Sequence, residues 1–118
     1  MLNTASEQRL TFQEFKTFIL IYAAHIDYEY SENEISFILS CSHQDVYERM
    51  LELFKVKNDY SCMKLILSHR SDYFDTKEKQ ESLFNLLVEL FKVDGDFSRI
   101  EKNFLPFFQK MIEATELS

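Results

Sequence analysis

The sequence has little of the material from which turn-rich folds are made. Its 118 residues include one glycine, one proline, two cysteines and no tryptophan. A sheet of many strands needs frequent glycine and proline turns, and a phosphate-binding loop needs several glycines, so the composition excludes both. The longest apolar stretch, residues 18–26, is far shorter than the ~20 residues of a membrane-spanning helix. We therefore predict a single all-helical domain with no transmembrane segment.

Basic side chains are also few. The 13 lysines and arginines are outnumbered by 20 aspartates and glutamates, which gives a formal net charge of −7. Such a surface repels nucleic acid and anionic lipid, so we expect no nucleic-acid binding. Cations or basic protein surfaces are the expected partners. The protein partner stays unidentified, and a homodimer is one of the options.

Catalytic motifs are missing as well. Cys41 and Cys62 have no metal-type spacing and follow no secretory signal, which predicts reduced, partly buried thiols in a cytoplasmic protein. His25, His43 and His69 share no ligand spacing, and we expect them at the surface or half-buried. No nucleophile motif accompanies either cysteine, so the sequence predicts a protein that is not an enzyme.

The chain does have a series of apolar stripes at helical spacing. They predict six helices if Pro106 bends the last one, which is favoured, and seven if Pro106 breaks it. Residues 1–9 are predicted to be a flexible segment, residues 10–114 the helical domain, and residues 68–80 a polar linker that leads into the fifth helix. The predicted helices run through residues 10–26, 31–41, 46–54, 63–67, 83–93 and 99–112.

Capping residues specify several helix starts. Thr11 with Glu14, and Ser31 with Glu34, match the Ser/Thr-x-x-Glu pattern of a capping box. Each such cap stabilises a helix by ~1 kcal/mol. Ser42 or a neighbouring residue is predicted to cap the third helix.

A repeat relates the two halves of the chain. A shift of 67 residues aligns residues 14–38 with residues 81–105, and each copy predicts two apolar helices around an acidic loop. We therefore predict two helix hairpins related by a pseudo-two-fold axis, each covering the apolar face of the other. The shift pairs Asp27 with Asp94, Glu29 with Asp96, Ser31 with Ser98, and Glu34 with Glu101.

The segments "VDGDFSRIEKNFL" and "IDYEYSENEISFI" resemble the acidic loop-to-helix signature of the TerB-like domains, a family associated with bacterial tellurite resistance and stress responses. The resemblance extends from about residue 10 to residue 112. It implies a compact all-helical fold of two related halves, with acidic clusters that bind a divalent cation such as Ca²⁺ or Mg²⁺. The metal ligands that it implies are Asp94, Asp96 and Glu101 in the second loop, and Asp27, Glu29 and Glu34 in the first.

The chemistry of these loops leaves two functions open. Calcium takes about six to eight oxygen ligands, so three carboxylates in a loop would need backbone carbonyls and water to complete the shell. The first loop has Tyr28 where the second has Gly95, so we expect the second to be the better site. Alternatively, the acids only cap helix N-termini, where the helix dipole favours negative charge. The protein is then either a cation-binding module that docks a partner, or a metal-independent interaction scaffold.

Overall fold

A computed structural model describes residues 9–26, 31–93 and 99–115, and this part of the chain is all-helical, as the sequence predicts. These ranges contain seven α-helices and no strand. None of those helices combines the length and the apolar character that crossing a membrane requires. The helices are α1 (Phe12–Ala24), α2 (Glu32–Cys41), α3 (Gln44–Lys55), α4 (Asp59–Ser68), α5 (Arg70–Tyr73), α6 (Lys77–Lys92) and α7 (Arg99–Thr115).

The start of α1 is a complete capping box, as predicted. The Glu14 backbone N–H donates to Thr11 Oγ1 at 3.1 Å, and the Thr11 backbone N–H donates to Glu14 Oε1 at 2.9 Å. Arg49 of α3 donates to the other carboxylate oxygen of Glu14 at 2.7 Å. Two backbone donors at the helix end are thereby satisfied, and the same glutamate ties α1 to α3.

Helix α3 starts at the predicted place, next to Ser42, but without a side-chain cap. Its N-cap residue is His43, whose side chain makes no capping hydrogen bond. The Ser42 hydroxyl is instead 2.6 Å from Oγ1 of Thr17, a buried residue of α1. A tertiary hydrogen bond to a buried hydroxyl has replaced the local one, because a buried polar group needs a partner.

The predicted polar linker, residues 68–80, is wrong in one respect. It contains a one-turn helix, α5, and it buries three side chains: Gln80, and His69 and Phe74, which are both 0% exposed. Phe74 packs against Phe15 of α1 and Phe108 of α7, with ring centroids 5.6 Å and 6.2 Å apart. This segment therefore contributes to the core. The sequence did not indicate this, because most residues of the segment are charged or polar.

Helix α7 runs without interruption from Arg99 to Thr115, with Pro106 inside it. The alternative of two short helices separated at Pro106 is therefore wrong. The break is avoided because Pro106 removes a single backbone donor, while Phe104 and Phe108 on either side are buried in the core.

Helix α1 is the centre of the molecule. Every residue from Thr17 to Ala24 is buried, and α1 packs directly against α2, α3, α4 and α6. Helix α7 covers another side of the core, where the Phe104 ring meets Tyr22 of α1 and Phe91 of α6 at centroid distances of 6.0 Å and 6.2 Å. The two predicted hairpins, α1–α2 and α6–α7, are thus in contact through this core.

Candidate functional site

The predicted metal ligands fall mostly on parts of the chain that the structure leaves undescribed. Asp27, Glu29, Asp94 and Asp96 lie outside the described residues. Glu101 belongs to the first turn of α7, and its side chain also lies outside the described part. The candidate site is therefore built from the helix ends that flank both acidic loops and from the remaining predicted ligand, Glu34.

Glu34 is held in the capping box that the sequence predicts for α2. Its backbone N–H donates to Ser31 Oγ at 3.1 Å, and its Oε1 accepts the Ser31 backbone N–H at 3.1 Å. The side chain is only 2% exposed, which is unusual for a glutamate. The structure thus assigns Glu34 a local role at the start of α2, at the edge of the first acidic loop.

Both acidic loops follow the carboxyl end of a helix. Helix α1 ends at Ala24, where the His25 and Ile26 backbone N–H groups donate to Tyr22 and Ala23 carbonyls at 3.1 Å and 3.3 Å. Helix α6 ends at Lys92, and the Val93 N–H donates to Leu90 at 3.3 Å. The last carbonyls of a helix are the negative end of its dipole, so this position favours a cation and disfavours an isolated carboxylate.

A groove of about 420 Å³ opens beside the end of α1 and the start of α4. Its main polar feature is the Tyr22 hydroxyl, which donates to Asp59 Oδ1 at 2.9 Å. His25 lies over the Phe54 ring at a centroid distance of 4.5 Å, and its Nδ1–H donates to the Ile21 carbonyl at 2.7 Å. The residues that line the groove are Tyr22, His25, Ile26, Phe54, Lys57, Asn58, Asp59 and Cys62.

Burial controls the electrostatics of this groove. It raises the pKa of Tyr22 well above its usual value, and the hydrogen bond to Asp59 acts in the same direction. Burial also raises the pKa of the Cys62 thiol to about 11, again with a smaller contribution from Asp59. Both groups are therefore neutral near pH 7, and Cys62 lacks the thiolate that a nucleophile or a zinc ligand would need.

No three His, Cys, Asp or Glu side chains within the described ranges form a group that could hold a metal ion. Asp59 has the Tyr22 hydroxyl and the Cys62 thiol as its neighbours in the groove, and at neutral pH neither offers a negatively charged ligand. The groove can accept hydrogen bonds and cover an apolar group, but it is not a metal centre. Predicted cation ligation is thus confined to the two acidic loops.

Besides the Ser42–Thr17 hydrogen bond, two polar arrangements in the described structure were missed by sequence reasoning. One is the Tyr22–Asp59 hydrogen bond. Its signal in the sequence was a tyrosine within the apolar run 18–24 of α1, because a buried tyrosine hydroxyl needs a partner. The other is the burial of His69, which was expected at the surface or half-buried and is 0% exposed. Its signal was the aromatic pair Tyr73 and Phe74 one turn later in a segment that otherwise looks polar.

The described helices define an all-α protein in which two acidic segments of the sequence each lie between the end of one helix and the start of the next. Comparison of the chain with protein-family models, with curated proteins and with solved structures gives no significant match. The TerB-like resemblance therefore rests on the two loop motifs alone.

Proposed function

We propose that this chain is a TerB-like, non-enzymatic domain of the bacterial stress-response and tellurite-resistance type, which binds a divalent cation at its acidic loops and docks a partner protein. The observation that supports the proposal is the equivalent placement of the two loops. Each follows the carboxyl end of a helix that contributes to the core, α1 or α6, and each precedes a helix with Ser at its start and Glu three residues later.

The second loop is the stronger candidate. In the sequence Asp94 comes two residues after Lys92, where α6 ends, and the last carbonyls of a helix favour a positive charge. With Asp96 and Glu101, it would supply three carboxylates, and Ca²⁺ or Mg²⁺ would complete its shell with carbonyls and water. Gly95 gives this loop a backbone freedom that Tyr28 denies the first.

The first loop would bind more weakly. Oε1 of Glu34 already accepts the Ser31 N–H, so the first loop offers less free carboxylate oxygen than its three acids suggest. Asp27 and Glu29 would have to provide most of the charge. We therefore expect one cation of measurable affinity per chain, bound at the second loop.

Docking of a partner is supported by exposed apolar side chains beside the groove. Val56, in the connection between α3 and α4, is 79% exposed, and Tyr60, in the first turn of α4, is 70% exposed. Large apolar side chains at such exposure are poorly placed for stability and suit a binding surface.

A metal-independent interaction scaffold is the second candidate, because the Ser31–Glu34 capping box is complete without any cation. In that function the acids of both loops serve the helix starts. The surface around Val56 and Tyr60 would then be the functional part of the molecule.

Thermal unfolding and titration calorimetry with Ca²⁺, Mg²⁺, Mn²⁺ and Zn²⁺ on chelator-stripped protein distinguish the two. Cation at about 100 times its Kd should raise the free energy of unfolding by ~2.7 kcal/mol. Asp94→Asn and Asp96→Asn should abolish the rise. Asp45→Asn, an exposed aspartate in the first turn of α3, is the matched control and should leave it intact.

Flat calorimetric traces with all four cations, together with unchanged melting temperatures, would contradict cation binding and support the scaffold. A rise that persists in both Asp94→Asn and Asp96→Asn would place the cation elsewhere on the protein.

A further inference from the structure

Leu10 lies just before the N-cap of α1, and both polar groups of its backbone form hydrogen bonds. The partners are His69 and Tyr73, in the segment that was predicted to be a polar linker (residues 68–80). The Leu10 N–H donates to Nε2 of His69 at 2.8 Å, and the Tyr73 hydroxyl donates to the Leu10 carbonyl at 2.8 Å. Residue 9 reinforces this attachment, because the Arg9 guanidinium donates to the Ser68 carbonyl at 3.1 Å and forms an ion pair with Asp72. We call His69 and Tyr73 the Leu10 clamp.

The protonation state of His69 follows from its partners. Nδ1 lies 3.0 Å from the Leu65 carbonyl, which can only accept, so Nδ1 bears the hydrogen. Nε2 faces a backbone N–H, which can only donate, so Nε2 bears none. The ring is 0% exposed between Phe15 and Tyr73, with centroid distances of 5.2 Å and 5.9 Å. The structure therefore requires a neutral imidazole at residue 69.

We propose that the Leu10 clamp is a pH-sensitive latch: protonation of His69 at Nε2 opposes two donors, the new N–H and the Leu10 N–H, and releases residues 9–10 while the helical bundle stays folded. A protonated imidazole has no acceptor left, so no small rotation of the ring can restore the bond to Leu10.

The charges around the clamp favour the neutral imidazole. Burial lowers the pKa of His69, the hydrogen bond to Leu65 partly opposes this, and the positive charge of Arg9 lowers the pKa further. Arg70 follows His69 directly, and Asp72, the one acid of α5, is paired with Arg9. Helices α1 and α4 face the ring with uncharged groups, namely Phe15, the Leu65 carbonyl and the Ser68 hydroxyl at 3.2 Å from Nδ1.

The direction of the pH effect follows from this pKa. The folded-state pKa of His69 lies below the ordinary value of 6.5, so the released state binds the proton more readily than the clamped state. The clamp is therefore closed above about pH 6.5 and opens as the pH falls toward the folded-state pKa.

Release can stay local because α1 has its own start. The capping box of Thr11 and Glu14 satisfies the first donors of α1 without help from residues 9–10. Release also alters a neighbouring surface, since Tyr73 and Asp72 line a groove of about 850 Å³ between α1 and α6, together with Phe12. Opening of the clamp would therefore make the shape of the groove depend on pH at the end that Asp72 and Tyr73 line.

Amide hydrogen exchange followed by NMR tests the latch on the full chain. From about pH 7.5 to about pH 5.5, the protection factor of the Leu10 amide, corrected for intrinsic exchange, should fall by up to about tenfold per pH unit below about pH 6.5. Protection of Ile19, in the buried part of α1, should stay constant. Equal losses at Leu10 and Ile19, or no loss at Leu10, would overturn the proposal.

Two variants and one direct measurement complete the test. His69→Gln cannot titrate, so its Leu10 protection should be independent of pH, while His43→Gln, at an exposed histidine, should retain the wild-type dependence. Should His69→Gln fail to fold, ¹⁵N shifts of the His69 ring in the wild-type chain decide the matter. A hydrogen on Nε2 at neutral pH would overturn the latch.

Discussion

The two cysteines show how burial distinguishes residues that the sequence treats alike. Both were predicted to be reduced and partly buried, and both are free thiols. Cys62 is 1% exposed and its pKa is raised to about 11, whereas Cys41, the last residue of α2, is half-buried. A thiol reacts through its thiolate, and at about pH 8 only about one Cys62 in a thousand would be ionised.

We therefore expect alkylation by iodoacetamide to modify Cys41 at least about 100-fold faster than Cys62 in the native protein. Mass spectrometry of tryptic peptides over time measures both rates. Cys41→Ser should leave a single slow thiol, and unfolding in urea should make both cysteines react alike. Rapid native labelling of Cys62 would show that it is more accessible than its burial indicates.

Prediction of single residues from the sequence failed mainly where contacts between distant parts of the chain determine a side chain's burial and hydrogen-bond partner. Thr11–Glu14 and Ser31–Glu34 were predictable because a capping box is a local pattern. His69 was not, since its partner Leu10 lies 59 residues away in the chain. For the same reason the sequence did not show that the Ser42 hydroxyl bonds to Thr17, 25 residues away, and leaves His43 as the N-cap residue of α3.

At the scale of elements, apolar periodicity located the long helices and missed the short one. Helix α2 ends at Cys41 and α7 starts at Arg99, as predicted, because caps and apolar stripes coincide there. Helix α5 has one turn, too short for any periodic signal. Of the candidate site, the sequence predicted the helix ends beside the acidic loops, and the placement of the loop acids stays a prediction.

Pro106 provides the test at this scale. It removes the donor that would bond the Lys102 carbonyl within the continuous helix α7, and it is exposed. Pro106→Ala restores the donor and a good helix former, so we expect the free energy of unfolding to rise by about 1–3 kcal/mol. Urea unfolding followed by circular dichroism measures the change.

Lys110→Ala, an exposed substitution in the same helix, is the control and should change stability by less than ~0.7 kcal/mol. A loss of stability in Pro106→Ala would contradict this expectation. It would mean that the packing of Phe104 and Phe108 needs the bend that the sequence analysis favours at Pro106.

At the scale of the whole molecule, the repeat has equivalent core positions but unequal surroundings. Leu20 and Leu87, which the 67-residue shift pairs, are both 0% exposed. Phe18 is fully buried, whereas its equivalent Asn85 is exposed. The second copy has polar residues where α1 has apolar ones, so α1 occupies the centre and α6 the periphery. Pseudo-two-fold symmetry of the hairpins stays a prediction.

The shared core predicts that the two halves unfold together. Helices α1 and α6 pack directly, and Phe104 of α7 contacts both. Leu20→Ala and Leu87→Ala each remove a fully buried side chain, and we expect each to lower the free energy of unfolding by about 2–5 kcal/mol. Because neither hairpin can bury its apolar face alone, both variants should still unfold in one transition.

Urea unfolding followed by circular dichroism at 222 nm and by tyrosine fluorescence tests this, and the two signals should coincide in wild type and in both variants. Leu39→Ala, at a leucine that is 37% exposed, is the control and should cost much less. If Leu87→Ala instead separated the two signals, α6 and α7 would unfold while α1 to α4 stayed folded. The hairpins would then be independent units, and the contact through Phe104 would contribute little to the stability of either.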